Sequence, residues 1–144
     1  MLPYPDAITP CSVCNFELFI PVRRMTVSSL GVYNDARFEG RSILSMNSHY
    51  DSLEEVPVGA VSLFMKDIQD AMKALQSATG AARVNVAILG NRESHVHAHL
   101  IPRYPAQEEF PDCSPWNDPR EKTLLSDEAV NLLVLRIKAC LLDP

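Results

Sequence analysis

The sequence of 144 residues has no excess of positive charge, no long apolar run and no internal repeat. Thirteen Lys and Arg oppose eighteen Asp and Glu, and this net charge of -5 disfavours a general nucleic-acid-binding protein, because such proteins are usually basic. Arg136 and Lys138 interrupt the C-terminal apolar stretch well before the ~18 residues that a bilayer helix needs. Residues 1–10 lack the basic and apolar regions of a signal peptide. We therefore expect a cytoplasmic protein with no membrane and no nucleic-acid partner.

Cysteine is also scarce, and in a chain expected in the cytoplasm four cysteines favour metal ligands, reactive thiols or core residues over disulfides. Cys11 and Cys14 are separated by two residues, a spacing that lets both thiolates bind one zinc ion. A redox pair and a pair of inert thiols remain alternatives at this point. Cys113 and Cys140 have no such spacing, and we interpret them as a loop thiol and a helix core residue.

Turn residues divide the chain, predicted as one domain over residues 1–144, into short strands and two helices. Strand-like composition and alternation are found at residues 16–20, 25–30, 42–46, 82–89 and 95–101. Apolar residues recur at spacings of three and four from Val58 to Leu75 and predict an amphipathic helix that ends at Gly80. Ser126 is the predicted cap of a final helix, whose broad apolar face favours a homodimer. Residues 103–125 form a proline-rich loop of a length that is usually functional or disordered.

Three of the four histidines alternate along one short segment, His95-Val96-His97-Ala98-His99. On a strand their imidazoles share one face, while Val96 and Ala98 face the core. A zinc ion bound by all three is disfavoured, because the outer two Cα atoms are about 13.6 Å apart on an extended strand, whereas Zn–N bonds measure about 2.0–2.1 Å. At most two neighbouring histidines fit one ion.

Nucleophilic attack on phosphorus is the alternative role for these histidines. A neutral imidazole is a good nucleophile near its pKa of about 6.5. If a backbone carbonyl accepts the Nδ1 proton of His97, Nε2 is free to displace a leaving group in line from an α-phosphate. A neighbouring histidine would bind phosphate oxygens or protonate the leaving group. A structural ladder of polar side chains is the competing interpretation.

Residues 95–103 (HVHAHLIPR) resemble the His-x-His-x-His signature of the histidine triad (HIT) superfamily of nucleotide hydrolases and transferases. Residues 40–49 resemble the family's upstream Gly-strand-His block, and Asn85 precedes the triad by a similar interval. The resemblance covers residues 11–105. It implies an α+β fold with an antiparallel sheet of about five strands, one long helix, a C-terminal helix and a homodimer. It also implies that His97 carries a nucleotidyl intermediate and that His99 contacts the phosphate.

Several further residues are candidates for binding the substrate. Asn34 and Asp35 occupy the turn where the family binds ribose hydroxyls, although turn chemistry explains them equally well. Trp116 is a candidate for stacking on a nucleobase and Arg103 for neutralising phosphate, with loop packing and a salt bridge as the alternatives. The basic residues Arg23, Arg24, Arg37, Arg41 and Arg92 are spread out and predict no patch.

The segment just before the triad departs from the family. Many members have Gly-Gln-Ser/Thr there to hold the α-phosphate, whereas this chain has Gly90-Asn91-Arg92-Glu93-Ser94. Asn91 and Ser94 are the candidate replacement donors.

A tetrahedral zinc site needs two ligands besides Cys11 and Cys14, and the candidates are His49 and His95. This set is similar to zinc-carrying, bacterial-type members of the family. A closed site of this kind is structural, so it would tie residues 1–20 to the triad strand and leave the other triad histidines for chemistry. A surface or hydrogen-bonded role is the alternative for His49.

The resulting hypothesis is a nucleotide hydrolase or nucleotidyl transferase that acts on a nucleotide or dinucleotide conjugate through His97, resembling diadenosine polyphosphate hydrolases. The absence of the Gly-Gln-Ser/Thr segment favours an alternative, a zinc-stabilised nucleotide-binding or interaction module with little turnover. A third possibility is a hydrolase with a catalytic zinc, in which a chelator abolishes activity before it unfolds the protein.

Overall fold

Five strands form one antiparallel sheet, and two α-helices accompany it in the computed structural model, which describes residues 8–141. The strands are β1 (Ile20–Arg24), β2 (Ser28–Val32), β3 (Ser42–Met46), β4 (Arg83–Ala87) and β5 (His97–Arg103), and the helices are α1 (Val58–Thr79) and α2 (Asp127–Leu141). The strand order is β1-β2-β3-β5-β4. The predicted α+β class and five-stranded sheet are confirmed. Residues 1–7 and 142–144 of the predicted domain lie outside the described residues.

The two faces of the sheet differ in chemistry because side chains alternate along each strand. One face carries the apolar residues Leu30, Leu44, Ala98 and Leu100, all without exposed surface, and packs in one cluster with Phe64 and Leu75 of α1 and Ile137 of α2. On the other face His97 pairs with Ser45 and His99 pairs with Ile43. The triad histidines of β5 therefore lie on the face opposite the apolar core.

The C-terminus of α1 and the N-terminus of α2 lie where the sequence predicts them. Gly80 follows α1 with a φ of 74°, a left-handed conformation that favours glycine, and its N–H donates to Gln76 O. Ser126 Oγ accepts a hydrogen bond of 3.1 Å from the backbone N–H of Ala129 at the start of α2. Of the helices within residues 8–141, none combines the length and the apolar character required to cross a membrane.

Strand boundaries differ from the sequence prediction, most clearly at the starts of three strands. Residues 16–20 were expected as a strand, but β1 begins only at Ile20, because residues 11–16 close a tight turn in which Cys11 N–H donates to Phe16 O. The second strand begins at Ser28 rather than at residue 25, since Met25 N–H donates to Ser28 O across the turn. The last strand begins at His97, so His95 precedes it.

The proline-rich loop, residues 103–125, is held by charged side chains. Arg103 is buried and donates to both carboxylate oxygens of Glu108. Oε1 accepts from Nε at 3.0 Å and from Nη2 at 2.7 Å, and Oε2 accepts from Nε at 3.2 Å. A short 3-10 helix, Pro115–Asn117, places Trp116 beside the histidines.

Candidate functional site

His97 lies on β5, and one of its ring nitrogens forms a hydrogen bond with the backbone. Its Nδ1 lies 2.6 Å from the carbonyl oxygen of His95, an acceptor, so Nδ1 carries the proton and Nε2 keeps its lone pair. The ring of Phe16 stacks on the imidazole with a centroid distance of 4.9 Å. The side chain is buried, with 6% of its surface exposed. This is the tautomer that the sequence analysis required of a nucleophile.

His99 lies next to His97 and stays neutral at physiological pH. The two rings meet edge to face at 5.0 Å, and the indole of Trp116 meets His99 edge to face at 5.2 Å. Burial, together with the neighbouring His97 and Arg41, lowers the pKa of His99 to about 4. Among the described residues, His99 Nδ1 is buried and has no hydrogen-bond partner. The site therefore contains a partly buried imidazole whose Nδ1 has unused hydrogen-bonding capacity.

A second cluster combines Cys11, Cys14, His49 and His95, whose ligand atoms all lie within 4.8 Å of one another. Tight backbone hydrogen bonds within residues 11–16 bring the two thiols together. His49 follows β3 and His95 precedes β5, and these two strands are paired, so the four residues meet at one end of the sheet. The four side chains are those that the sequence analysis grouped.

Three distances between the ligand atoms match those of tetrahedral zinc. His49 Nδ1 and His95 Nδ1 are 3.3 Å apart, and the thiol sulfurs lie 3.6 Å and 3.5 Å from them in the pairs Cys11–His49 and Cys14–His95. Bonds of about 2.05 Å to nitrogen and about 2.3 Å to sulfur separate two nitrogens by about 3.3–3.4 Å and nitrogen from sulfur by about 3.5–3.6 Å. The two sets of distances agree.

Hydrogen bonds on the far side of each imidazole support the same interpretation. His49 Nε2 lies 2.7 Å from Asp51 Oδ1, and His95 Nε2 lies 2.7 Å from Met46 O. Both Nε2 atoms are therefore donors, which leaves two Nδ1 lone pairs facing each other. Such an arrangement is repulsive without a cation between the rings, so the donor set is compatible with zinc.

The lowered pKa of the Cys11 thiol also favours metal binding. Burial raises its pKa, but hydrogen bonds from the backbone of Cys14 and Val13 outweigh burial and lower the pKa to about 6. The thiolate is the form that coordinates zinc.

Four of the predicted substrate-binding residues use their polar atoms within the protein. Asn34 donates to and accepts from the backbone of Leu125, at 3.2 and 2.8 Å. Asn85 accepts a hydrogen bond of 2.9 Å from Arg103, which also binds Glu108. These contacts hold the proline-rich loop and α2 against the sheet.

Asp35 is buried and shared by two arginines. Arg37 donates to both carboxylate oxygens, at 3.0 and 2.9 Å, and Arg41 Nη1 donates to Oδ2 at 2.9 Å. The guanidinium of Arg41 stacks on Tyr33, with Cζ 4.3 Å from the ring centroid. Asn91 and Ser94 are exposed in the loop before the triad. Of the predicted substrate-binding residues, the structure brings Trp116 into contact with a triad histidine.

Arg41 belongs to this site, although the sequence pattern predicts only scattered basic residues. One signal for its position is present in the sequence. Arg41 precedes β3 by one residue, so alternation places it on the same face as Ile43, the partner of His99. The buried side chain lies 5.5 Å from Trp116, measured from Cζ to the ring centroid.

A cavity of about 530 Å³ is lined by residues that contact the triad histidines, although no histidine is among its described lining residues; its volume is within the usual range for small-molecule sites. Its apolar wall includes Phe16, which stacks on His97, and Ile43, which pairs with His99. Polar groups at its edge include Tyr33 and Lys122. Apolar and polar residues contribute equally in number to its lining.

No family model matches the sequence, and no curated protein matches it. Solved structures do match. A histidine triad protein from Bradyrhizobium japonicum is 19% identical, with 85% of this chain and 90% of that chain covered and a TM-score of 0.76. A zinc-bound histidine triad family protein from Mycobacterium smegmatis is 18% identical, with 90% and 94% covered and a TM-score of 0.61. A diadenosine triphosphate hydrolase from Plasmodium falciparum is 13% identical, with 96% and 87% covered and a TM-score of 0.56. At these identities the likeness shows the fold, which is that of histidine triad proteins.

Proposed function

We propose that this chain, which has the histidine triad fold, is a nucleotide hydrolase or nucleotidyl transferase acting at the α-phosphate of a nucleotide conjugate. The observation that carries the proposal is the 2.6 Å contact between His97 Nδ1 and the His95 carbonyl oxygen. It leaves Nε2 of a neutral imidazole unprotonated, which is the form that attacks phosphorus. The similarity in fold to a diadenosine triphosphate hydrolase supports this substrate class.

The proposed reaction has two displacement steps at one phosphorus atom. The Nε2 lone pair of His97 forms a bond to the α-phosphorus while the bond to the leaving group breaks and its electron pair departs with that group. The ring becomes cationic, and the His95 carbonyl stabilises the Nδ1–H that it keeps. Water then attacks the phosphorus and releases a proton to the solvent, the P–N bond breaks, and its electrons return to Nε2. In the transferase form another acceptor replaces water.

Neighbouring residues are proposed to bind the substrate. Neutral His99 contacts a phosphate oxygen and Trp116 receives the nucleoside, as supported by the ring contacts of His99 with His97 and with Trp116. The cavity, whose wall includes Phe16 next to His97, is proposed to receive the rest of the nucleoside. We propose Asn91 and Ser94 as further phosphate donors because they are exposed in the loop that precedes the triad.

For the remaining predicted substrate residues, Asn34, Asp35, Asn85 and Arg103, we propose an indirect role. Their polar atoms already bind other protein groups. They would shape the site by fixing the proline-rich loop and the turn before β3.

We also propose that the Cys11, Cys14, His49 and His95 cluster holds a structural zinc ion. Four protein ligands complete a tetrahedron and leave no open position for a substrate, which distinguishes such a site from a catalytic one. When bound, the ion would cross-link the N-terminal segment to the strand that carries His97. The zinc-bound relative supports this assignment.

A homodimer remains part of the proposal. Leu132 and Leu135 on α2 are 49% and 62% exposed, an apolar surface that a second copy would cover. Light scattering is expected to give twice the chain mass. A monomeric mass at working concentration would contradict this point.

The proposed function is tested by trapping the covalent intermediate. The protein is mixed with diadenosine triphosphate, quenched, and analysed by intact mass spectrometry. We expect an added adenylyl group that is lost in His97→Ala, together with the turnover. Ser45→Ala is the matched control, since Ser45 pairs with His97 on β3 and has no role in the reaction. Circular dichroism and zinc content establish that both variants are folded.

The outcomes separate the two candidate functions. An adduct that depends on His97 supports the nucleotidyl mechanism. Unchanged turnover in His97→Ala would refute it. Binding of nucleoside monophosphate without cleavage of any phosphoanhydride or phosphoramidate would select the binding module, which the missing Gly-Gln-Ser/Thr segment favours.

A further inference from the structure

Arg41 lies on the catalytic face of the sheet, next to His99. It immediately precedes β3, in which Ile43 pairs with His99, and the two-residue alternation puts Arg41 on the same face. Trp116 contacts both side chains, with its ring centroid 5.5 Å from Arg41 Cζ and 5.2 Å from the His99 centroid. The arginine and the imidazole therefore flank one indole ring.

The guanidinium of Arg41 has a donor that the protein does not use. The residue is 6% exposed, and Nη1 donates to Asp35 at 2.9 Å. Its Nε is buried and, within residues 8–141, has no hydrogen-bond partner. Buried donors are normally paired, and an unpaired one at a site needs an explanation. A phosphate oxygen of a bound substrate is an acceptor of matching charge.

The positive charge of Arg41 is not cancelled by its ion pair. Asp35 also accepts two hydrogen bonds from Arg37, so one carboxylate is shared by two guanidinium groups. This trio keeps an excess positive charge. The charge lies beside His99, where it contributes to lowering the pKa of that imidazole.

Neutral His99 cannot readily protonate a leaving group. Burial, His97 and Arg41 together lower its pKa to about 4. An amine leaving phosphorus needs a proton, whereas a phosphate departs as a stable anion. A fixed cation stabilises the departing anion but gives no comparable help to an amine.

We propose that Arg41 binds the leaving group, and that the site favours nucleotide conjugates that release a phosphate-type anion over those that release an amine. The inference rests on the proposed function, with attack by His97. As Nε2 of His97 bonds to the α-phosphorus, the bridging P–O bond breaks and its electron pair stays on the departing oxygen. The N–H groups of Arg41 bind the oxyanion, and no proton is transferred.

The experiment compares diadenosine triphosphate with adenosine phosphoramidate, which share the adenylyl group and differ in the leaving group. The variants are Arg41→Gln and the matched control Arg37→Gln. Each removes one guanidinium from Asp35, but Arg41 alone of the two contacts Trp116. Thermal unfolding and zinc content are measured for both.

We expect wild-type protein to prefer the triphosphate in kcat/KM. Arg41→Gln should lose about 10²-fold on the triphosphate and less than about 10-fold on the phosphoramidate, the difference corresponding to one lost oxyanion donor. Arg37→Gln should leave the ratio of the two substrates unchanged. Arg41→Lys, which keeps the charge, should recover part of the preference and serves if the Gln variant does not fold.

Several results would overturn the inference. One is a wild-type preference for the phosphoramidate, which needs no variant to establish. Another is an equal loss of activity on both substrates in Arg41→Gln. A third is that Arg37→Gln changes the ratio of the two activities as much as Arg41→Gln does. Either result would indicate that Arg41 has a structural role. If wild-type protein turns over neither substrate and forms no adduct, the proposed function itself fails. Turnover through His97 with a ratio insensitive to Arg41 overturns this inference alone.

Discussion

Removal of zinc is predicted to release the N-terminal segment from the sheet and to uncover His97. The described part of this segment, residues 8–19, precedes β1 and meets the sheet through Cys11, Cys14 and Phe16. Without zinc, the metal bonds that would join Cys11 and Cys14 to His49 and His95 are lost, so we expect the cluster to open. Phe16 then loses its position over His97.

The size of the effect follows from ligand linkage. Free zinc at 1,000 times its Kd stabilises the folded chain by about 4.1 kcal/mol. A chain of about 150 residues changes its Tm by roughly 2–4 °C per kcal/mol, so the metal-free protein should unfold about 8–16 °C lower. The core between the sheet and α1 does not include the metal ligands, so the rest of the fold should persist.

The assay is differential scanning calorimetry during titration with a chelator, with zinc per chain measured in parallel. Cys14→Ser should bind no zinc and should have the lower Tm without chelator. Cys113→Ser is the control, since this thiol lies outside the cluster, and it should retain both the zinc and the wild-type Tm. Activity and stability should fall together as zinc is removed.

Two results would refute the reasoning. If chelation removes the zinc and leaves the Tm unchanged, the ion does not cross-link the segment to the sheet. If activity disappears while the Tm is retained, the ion acts in catalysis, as the third hypothesis from the sequence requires.

The remaining predictions concern acid stability, backbone conformation and one titration. Burial raises the pKa of Asp35, but hydrogen bonds from two guanidinium groups outweigh it and hold the pKa below its ordinary value. Asp35 thus stabilises the fold above its unfolded pKa of about 3.9 and loses this effect as the pH falls through its folded pKa. Urea unfolding of wild type and Asp35→Asn should differ at pH 7 and converge in acid; a constant difference would contradict this. Gly40→Ala should destabilise by about 1–3 kcal/mol, because φ is +95° and the new Cβ would lie 2.8 Å from a threonine methyl carbon. Gly59→Ala, at an open helix position, should stabilise by about 0.5–1 kcal/mol, and equal urea midpoints for the two variants would refute the argument. The His99 imidazole should titrate by NMR near pH 4, and a midpoint near its ordinary pKa of about 6.5 would show that burial and the nearby arginine do not act as described.

The sequence by itself determined the elements whose signals are local. Apolar spacing identified α1, and Gly80 and Ser126 identified one end of each helix. Strand alternation put His97 and His99 opposite the apolar core. These features depend on backbone geometry repeated over neighbouring residues, so they can be recognised without knowledge of any distant segment.

Only the tertiary structure decided which side chains meet. Cys14 and His95 are 81 positions apart in the sequence, yet their side chains meet in the structure. The sequence indicated both as candidate zinc ligands but could not show that they lie close together. Arg103 faces Glu108 rather than an open phosphate site, and Arg41 lies under Trp116. Each outcome depends on how separate segments pack across the sheet, because hydrogen bonds and charge pairs form between whichever groups the fold brings within about 3 Å of each other.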